Sequence, residues 1–332
     1  MNLQRRIDLL IGLGKWMQGN DPAWLEAKKK ANAENPWFIP AFIELAVKNI
    51  VENFLKKNIL ENWNRQYQIP NDRRNPKNIG IAMAGNIPLV GFHDLLASFI
   101  SGHRAAIKPS SKDSALIKHL VEFLESREPG INDLIRFSDL LKNCDAYIAT
   151  GSNNTSRYFE YYFSKYPHII RKNKTSVALL TGSETMTELE KLADDVYQFF
   201  GLGCRNVTKI FVPENYDFVP LLAAFKKYNW LADHHKYKNN YDYNLAIQLL
   251  NKKFYMTNGS ILLVENTPFF SPISQLNYEF YADESAVLSS LENHPDIQAI
   301  VSNKHVPFGQ AQCPSITDYA DKLDTLSFLL SI

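Results

Sequence analysis

One cysteine lies where a covalent nucleophile could work. Cys204 sits in Phe199-Phe200-Gly201-Leu202-Gly203-Cys204-Arg205-Asn206-Val207-Thr208-Lys209. Gly201 and Gly203 let backbone and substrate approach the sulfur closely, and the neighbouring Arg205 can favour thiolate over thiol. A thiolate so placed can form and break a thioester. A lone cysteine is also often a small buried hydrophobe, and the local sequence alone leaves that role open.

Three further loops carry groups suited to chemistry. In Ala84-Gly85-Asn86-Ile87-Pro88, between a strand and a helix, Asn86 can donate to an oxyanion. It is equally placed to cap a helix starting at Pro88. In Ile107-Lys108-Pro109-Ser110-Ser111, Lys108 ends a strand where a cofactor's ribose or phosphate would lie, or is a solvated loop lysine. In Ala149-Thr150-Gly151-Ser152-Asn153-Asn154-Thr155, a glycine and several donors suit a phosphate or nicotinamide passing close to the backbone. The ordinary GxGxxG dinucleotide fingerprint is absent.

The elements that would position these loops alternate. Residues 1–65 read as helices, with Asp21-Pro22 an N-cap and first-turn proline and an apolar face of Phe42, Leu45, Ala46, Ile50, Phe54 and Leu55. Residues 66–78 read as a loop. Strands are expected at 79–84, 104–108, 134–137, 145–150, 168–171 and 176–180, and helices at 88–101, 114–126 and 155–166. A helix over 187–200 leads to Cys204; strands at 210–212 and 260–264 and helices near 218–228 and 243–251 follow. This is the pattern of an α/β protein with a doubly wound parallel sheet, in which ligands bind at the carboxyl ends of the strands. The expected division is 1–176, N-terminal helices plus a dinucleotide-binding domain, and 177–332, an α/β catalytic domain carrying Cys204.

Composition excludes several classes. A formal net charge of +1 gives no field that would draw nucleic acid. Three scattered cysteines, Cys144, Cys204 and Cys313, argue against a disulfide framework and a metal cluster, and for a reducing, cytoplasmic compartment. The longest apolar region, 79–100, contains Asn86, Pro88, His93 and Asp94, so no membrane span is expected. The N-terminal apolar run is too short and broken for a signal peptide. His234-His235 reads as a solvated helix end, His93-Asp94 as a helix-face pair, and His103-Arg104 as a polar turn.

Taken together, the four loops resemble the aldehyde dehydrogenase superfamily, and within it the LuxC-like acyl-CoA reductases, the fatty-acid reductases of bacterial luminescence. The resemblance rests on Ala84-Gly85-Asn86-Ile87-Pro88, Ser101-Gly102-His103-Arg104-Ala105-Ala106-Ile107-Lys108-Pro109-Ser110, Thr150-Gly151-Ser152-Asn153-Asn154-Thr155-Ser156-Arg157-Tyr158-Phe159, and Gly201-Leu202-Gly203-Cys204-Arg205-Asn206-Val207. It is loose between 211 and 306. It implies an aldehyde dehydrogenase-like fold with Cys204 as acyl acceptor. Asn86 and the Cys204 N–H would hold the oxyanion, Lys108-Pro109-Ser110-Ser111 would lie on the adenosine ribose, and Gly151 and Ser152 on the nicotinamide side. Pro307-Phe308-Gly309 resembles the loop near the superfamily's substrate tunnel, with Phe308 lining an acyl pocket and Cys313 structural.

Two departures from the superfamily pattern bear on the reaction. Hydrolytic members carry a general-base Glu before a Gly-Gly pair; here Leu179 stands at that position and Glu184 lies past the turn. Without that base, reduction of an acyl-CoA to aldehyde fits better than oxidation of aldehyde to acid. Many NAD-using relatives carry Glu shortly after Lys-Pro-Ser; Ser110-Ser111-Lys112 should admit NADPH, with NAD less favoured. The implied partner is acyl-CoA or another acyl-thiol carrier, and the chain could act as a homo-oligomer or with an acyl-transfer partner protein. Oxidative aldehyde dehydrogenation and non-redox holding of an acyl group are the alternatives.

Overall fold

The computed structural model describes residues 1–332. The chain divides into two compact units, Met1–Asn173 with Pro314–Ile332, and Lys174–Cys313.

The first unit opens with four helices, α1 (Leu3–Met17), α2 (Pro22–Glu34), α3 (Pro40–Phe54) and α4 (Lys57–Tyr67). Asp21 caps α2 as its sequence suggests, its carboxylate accepting from the Ala23 and Trp24 N–H groups. The expected apolar face of α3 is the buried one, at Phe42, Ala46, Ile50 and Phe54. There follow β1 (Asn78–Ala82), α5 (Phe92–Ser101), β2 (Arg104–Lys108), α6 (Ala115–Arg127), β3 (Ile135–Phe137), β4 (Ala146–Thr150), α7 (Asn153–Phe163) and β5 (His168–Arg171). Every strand pair is parallel and the order is β3-β2-β1-β4-β5. Short strands with buried centres, such as the fully interior Ile79, Ile81, Ile107 and Ile148, explain the near-continuous apolar runs in the sequence. The chain winds outward from β1 to β3, then returns to place β4 on the other side of β1. The carboxyl ends of β1 and β4 therefore flank the crevice at which such sheets bind ligands.

The second unit comprises β6 (Thr175–Leu179), α8 (Met186–Tyr197), β7 (Val207–Pro213), α9 (Phe218–Phe225), α10 (His235–Leu250), β8 (Met256–Thr257), β9 (Leu262–Glu265), β10 (Gln275–Tyr281), α11 (Glu284–Leu291) and β11 (Ile297–Val301). Its sheet has the order β11-β6-β7-β10-β9-β8, parallel except for β8 against β9. A Thr185–Glu188 capping box starts α8.

Several expectations change. Helix α5 begins at Phe92 rather than Pro88, because Leu89 takes a left-handed conformation (φ 57°) that no helix continues. Helix α8 stops at Tyr197, since Phe199, Phe200 and Gly201 all have positive φ (54°, 58° and 74°). The C-terminal segment does not belong with residues 177–313: α12 (Thr325–Ser331) is in the first unit, where Leu326 and Leu329 are fully buried in the main core. His103 is no exposed polar turn. It is 1% accessible, accepts from the Lys77 N–H at Nδ1 (2.9 Å) and reaches the Leu329 carbonyl through Nε2 (2.8 Å). Asp94, read as part of a helix-face pair, is buried in an ion pair with Arg171 (2.7 Å), which also donates to Thr325. No helix is long and apolar enough to cross a membrane.

Candidate active site

Cys204 is half-buried on a tight turn between α8 and β7. The turn closes with the Asn206 N–H on the Gly203 carbonyl (3.0 Å), and the Asn206 side-chain oxygen accepts in return from the Gly203 N–H (2.8 Å). The Asn206 amide nitrogen reaches back to the end of α8, donating to the carbonyls of Asp195 (3.0 Å), Val196 (3.3 Å) and Gln198 (2.8 Å). These are carbonyls that a helix end leaves in need of donors. Strand β6 grips the turn from the other side: the Ser176 hydroxyl donates to the Cys204 carbonyl (3.1 Å) and its N–H to the Asn206 carbonyl (3.0 Å). The left-handed run Phe199-Phe200-Gly201 reverses the chain between helix and turn. Two aromatic residues in that conformation are strained, and their burial holds them there.

Asn206, fully buried, is the residue the sequence reading passed over, although it lies two positions from Cys204. A polar side chain between a glycine-rich turn and a β-strand was the available signal. The Pro307-Phe308-Gly309 loop also ties to α8, through N–H bonds from Gly309 and Ala311 to the Asp195 carboxylate (2.6 and 2.9 Å). Phe308 itself is buried. Leu179 packs in an apolar cluster with Val177, Phe211 and Leu291. Glu184 is engaged within its own loop, accepting from the Thr181 N–H (2.6 Å), the Thr181 hydroxyl (2.8 Å) and the Gly182 N–H (3.1 Å).

In the first unit, the loops after β1 and β2 press together. A Cβ on Gly85 would fall 2.5 Å from the Ser110 Oγ, so only glycine allows this approach. The Met83 N–H donates to the Lys108 carbonyl (3.0 Å). Asn86 is exposed on this loop and does not cap α5; Gly91 occupies that position. Lys108 and Ser111 are exposed, and Pro109 and Ser110 are half-buried, with the Ser110 hydroxyl accepting from the Lys112 N–H (3.2 Å). Asp113 lies beneath. One carboxyl oxygen accepts from the Leu89 N–H (2.7 Å) and the other is buried without a partner, so burial pushes the group up to about 7. At the end of β4, Ser152 caps α7 by accepting from the Thr155 N–H, and Gly151 packs on that helix's Thr155 and Phe159. His234 likewise caps α10. No group of three or more His, Cys, Asp or Glu side chains converges as a metal site.

The fold recurs in solved structures of low sequence identity. An oxidoreductase from Marinobacter aquaeolei aligns with a TM-score of 0.66 at 10% identity, over 95% of this chain and 77% of its own. The NADP-dependent glyceraldehyde-3-phosphate dehydrogenase from Bacillus halodurans, complexed with NADP, gives 0.63 at 13%, over 91% and 74%. The Mycobacterium tuberculosis aldehyde dehydrogenase complexed with NAD+ gives 0.63 at 12%, over 87% and 70%. The architecture is therefore aldehyde dehydrogenase-like. No curated protein matches the chain in sequence. The sequence profile described as acyl-CoA reductase (LuxC) matches residues 37–224. That span is more than half of the chain and includes both the Asn86 loop and the Cys204 turn, so the protein belongs to the acyl-CoA reductase (LuxC) family and is an oxidoreductase.

Proposed function

We propose that the protein reduces a fatty acyl-CoA thioester to the aldehyde, using NADPH, through an acyl-cysteine at Cys204. The Cys204 thiolate attacks the thioester carbonyl carbon and the carrier thiolate leaves, taking up a proton. A bound nicotinamide supplies the hydride that reduces the acyl-cysteine. The resulting thiohemiacetal collapses, expelling the aldehyde and restoring the Cys204 thiolate. We assign to Asn86 the donation of an amide N–H to the oxyanion in each half-reaction.

The observation that carries this proposal is the Cys204 turn itself, a half-buried sulfur on a backbone fixed from both sides by Asn206 and Ser176. Reduction is favoured over hydrolysis because neither Leu179 nor Glu184 can serve the sulfur as a base. Both lie toward the carboxyl ends of β6 and β7, where Leu179 pairs with Phe211, whereas Cys204 precedes the amino end of β7. Leu179 is apolar, and the Glu184 carboxylate is engaged by three donors of its own loop. The residues toward the nicotinamide cofactor fit the group in one further respect: the close Gly85–Ser110 packing draws the loops after β1 and β2 together at the switch crevice, where such sheets bind ligands. Lys108, Pro109, Ser110, Ser111, Gly151 and Ser152 would border it. NADPH is favoured because the nearest carboxylate after Lys108-Pro109-Ser110 is Asp113, which is buried beneath the Leu89 N–H rather than exposed beside Ser111. A buried Phe308 is consistent with an apolar acyl pocket.

The test is incubation with acyl-CoAs of graded chain length and NADPH, with aldehyde, acid and free thiol quantified. One aldehyde and one free thiol per NADPH consumed is the expected result. Acid as product, or acylation of Cys204 without NADPH consumption, would overturn it.

A further inference from the structure

Asp195 stands at the last turn of α8 with no accessible surface, and it touches both loops that matter in the second unit. Its backbone carbonyl accepts from the side chain of Asn206, the residue that closes the Cys204 turn. Its carboxylate accepts from the Gly309 N–H at 2.6 Å and the Ala311 N–H at 2.9 Å, and so holds the segment that contains Phe308. The loop presses on the same helix one turn earlier: a Cβ at Gly309, whose φ is 80°, would lie 3.0 Å from the Cβ of Lys191. A buried carboxylate is an expensive way to fasten a loop, and burial raises this one to about 7 against the pull of its two N–H donors. A neutral side chain could satisfy one of those donors. Satisfying both at once, from a residue whose carbonyl also anchors the nucleophile's turn, fixes the spacing of the two loops.

We propose that Asp195 is a positioning residue that sets the register between the Cys204 turn and the Phe308 loop, and thereby the acyl chain length the site accepts. This rests on the assignment of Cys204 as nucleophile and Phe308 as pocket wall. Asp195 touches no reacting atom; it acts through Asn206 on one side and through Gly309 and Ala311 on the other.

Two measurements on the full chain test it, and neither needs turnover. Hydrogen exchange on the unaltered protein should find the Gly309 and Ala311 amides protected about 100-fold or more relative to an open loop; exchange at open-loop rates would overturn the clamp whether or not any variant folds. The second is alkylation of Cys204 by N-methyl- and N-dodecyl-iodoacetamide, read by mass spectrometry of the Cys204 peptide in wild type and Asp195→Asn. The short reagent should react within about twofold in both proteins, while the advantage of the long reagent falls about tenfold in the variant. An equal fall for both reagents would mark Asp195 as structural only, and no change for either would remove it from the site. Failure of acyl-CoA reduction by the unaltered enzyme would sink the proposed reaction yet leave this contrast readable. Normal reduction without the contrast would sink the Asp195 assignment alone.

Discussion

Asn206 and Gly203 are joined twice, N–H to carbonyl in one direction and N–H to side-chain oxygen in the other, and Cys204 rides on the turn between them. Truncation as Asn206→Ala removes the second bond and leaves the Gly203 N–H and three carbonyls at the end of α8 without this partner. Unsatisfied buried groups cost about 1–3 kcal/mol each, so the denaturation midpoint should fall clearly. Turnover per folded molecule should fall as well, because the sulfur loses its fixed backbone. Urea unfolding and kcat on the same preparation check both, and a fully stable, fully active variant would mean that the turn holds its shape without this side chain.

Replacement of Cys204 by Ala should abolish reduction while NADPH affinity stays within about twofold, since the thiol makes the covalent bond and not the cofactor contact. Incubation with radiolabelled acyl-CoA should label the wild-type protein and not the variant. Substantial turnover by Cys204→Ala would end the nucleophile assignment.

Asn86→Ala now separates two roles that the sequence left open. Helix α5 starts at Phe92 behind Gly91, so Asn86 does not cap it and its loss should leave that helix's N-terminus intact. The rate should nonetheless drop about 10²–10³-fold, the usual consequence of removing an oxyanion donor. Thermal denaturation paired with initial rates decides between them; a destabilised variant with normal specific activity would contradict the oxyanion role.

Most of the parallel sheet was legible because its strands are short apolar runs between turn signals. Ile135–Phe137, Ala146–Thr150 and His168–Arg171 fall within a residue of expectation. What stayed hidden had specific causes. Strand β10 carries Gln275 and Asn277, both buried, with the Asn277 amide satisfied by the Pro268 and Phe270 carbonyls of the loop that leads into the strand, so its polar residues disguised a central strand. The chain reversal at Phe199-Phe200 defies local preference, since aromatic residues avoid positive φ and only tertiary packing supports it. Helix α12 declares its partners through long-range contacts, among them those with Arg73, His103 and Arg171. At the candidate site, the glycines and Cys204 stood out by type, whereas Asn206 and Asp195 matter through what they join.

Two buried groups give stability opposite pH slopes. His103 must keep Nδ1 unprotonated to accept from Lys77, and burial holds it down at about 4 against an ordinary 6.5. Its contribution is present above about 6.5 and lost as pH falls through 4. Asp113 is raised by burial from 3.8 to about 7, so its contribution is present below 3.8 and lost as pH rises through 7. His103→Gln should therefore tilt the stability profile between pH 4 and 7 downward with rising pH relative to wild type, and Asp113→Asn should tilt it upward. Urea midpoints across that range test the pair; no tilt in either variant would show that the group replaced titrates as it does in water, and tilts of the same sign in both would show that one of the two shifts runs the other way.

The cofactor preference turns on the exposed end of the loop after β2. Ser111 and Lys112 are both exposed, and the next carboxylate along the chain, Asp113, is buried beneath the Leu89 N–H. A 2′-phosphate would meet hydroxyls and a cation there. Ser111→Glu places a carboxylate where it would repel that phosphate and accept from a free ribose diol. Wild type should bind NADPH at least about tenfold tighter than NADH, and the variant should narrow or reverse the ratio, a change of about 1.4 kcal/mol or more. Fluorescence titration of both cofactors on both proteins reads it directly. Equal affinities in wild type and variant would place the Ser111 side chain away from the ribose and withdraw the assignment of Lys108-Pro109-Ser110-Ser111 to that end of the cofactor.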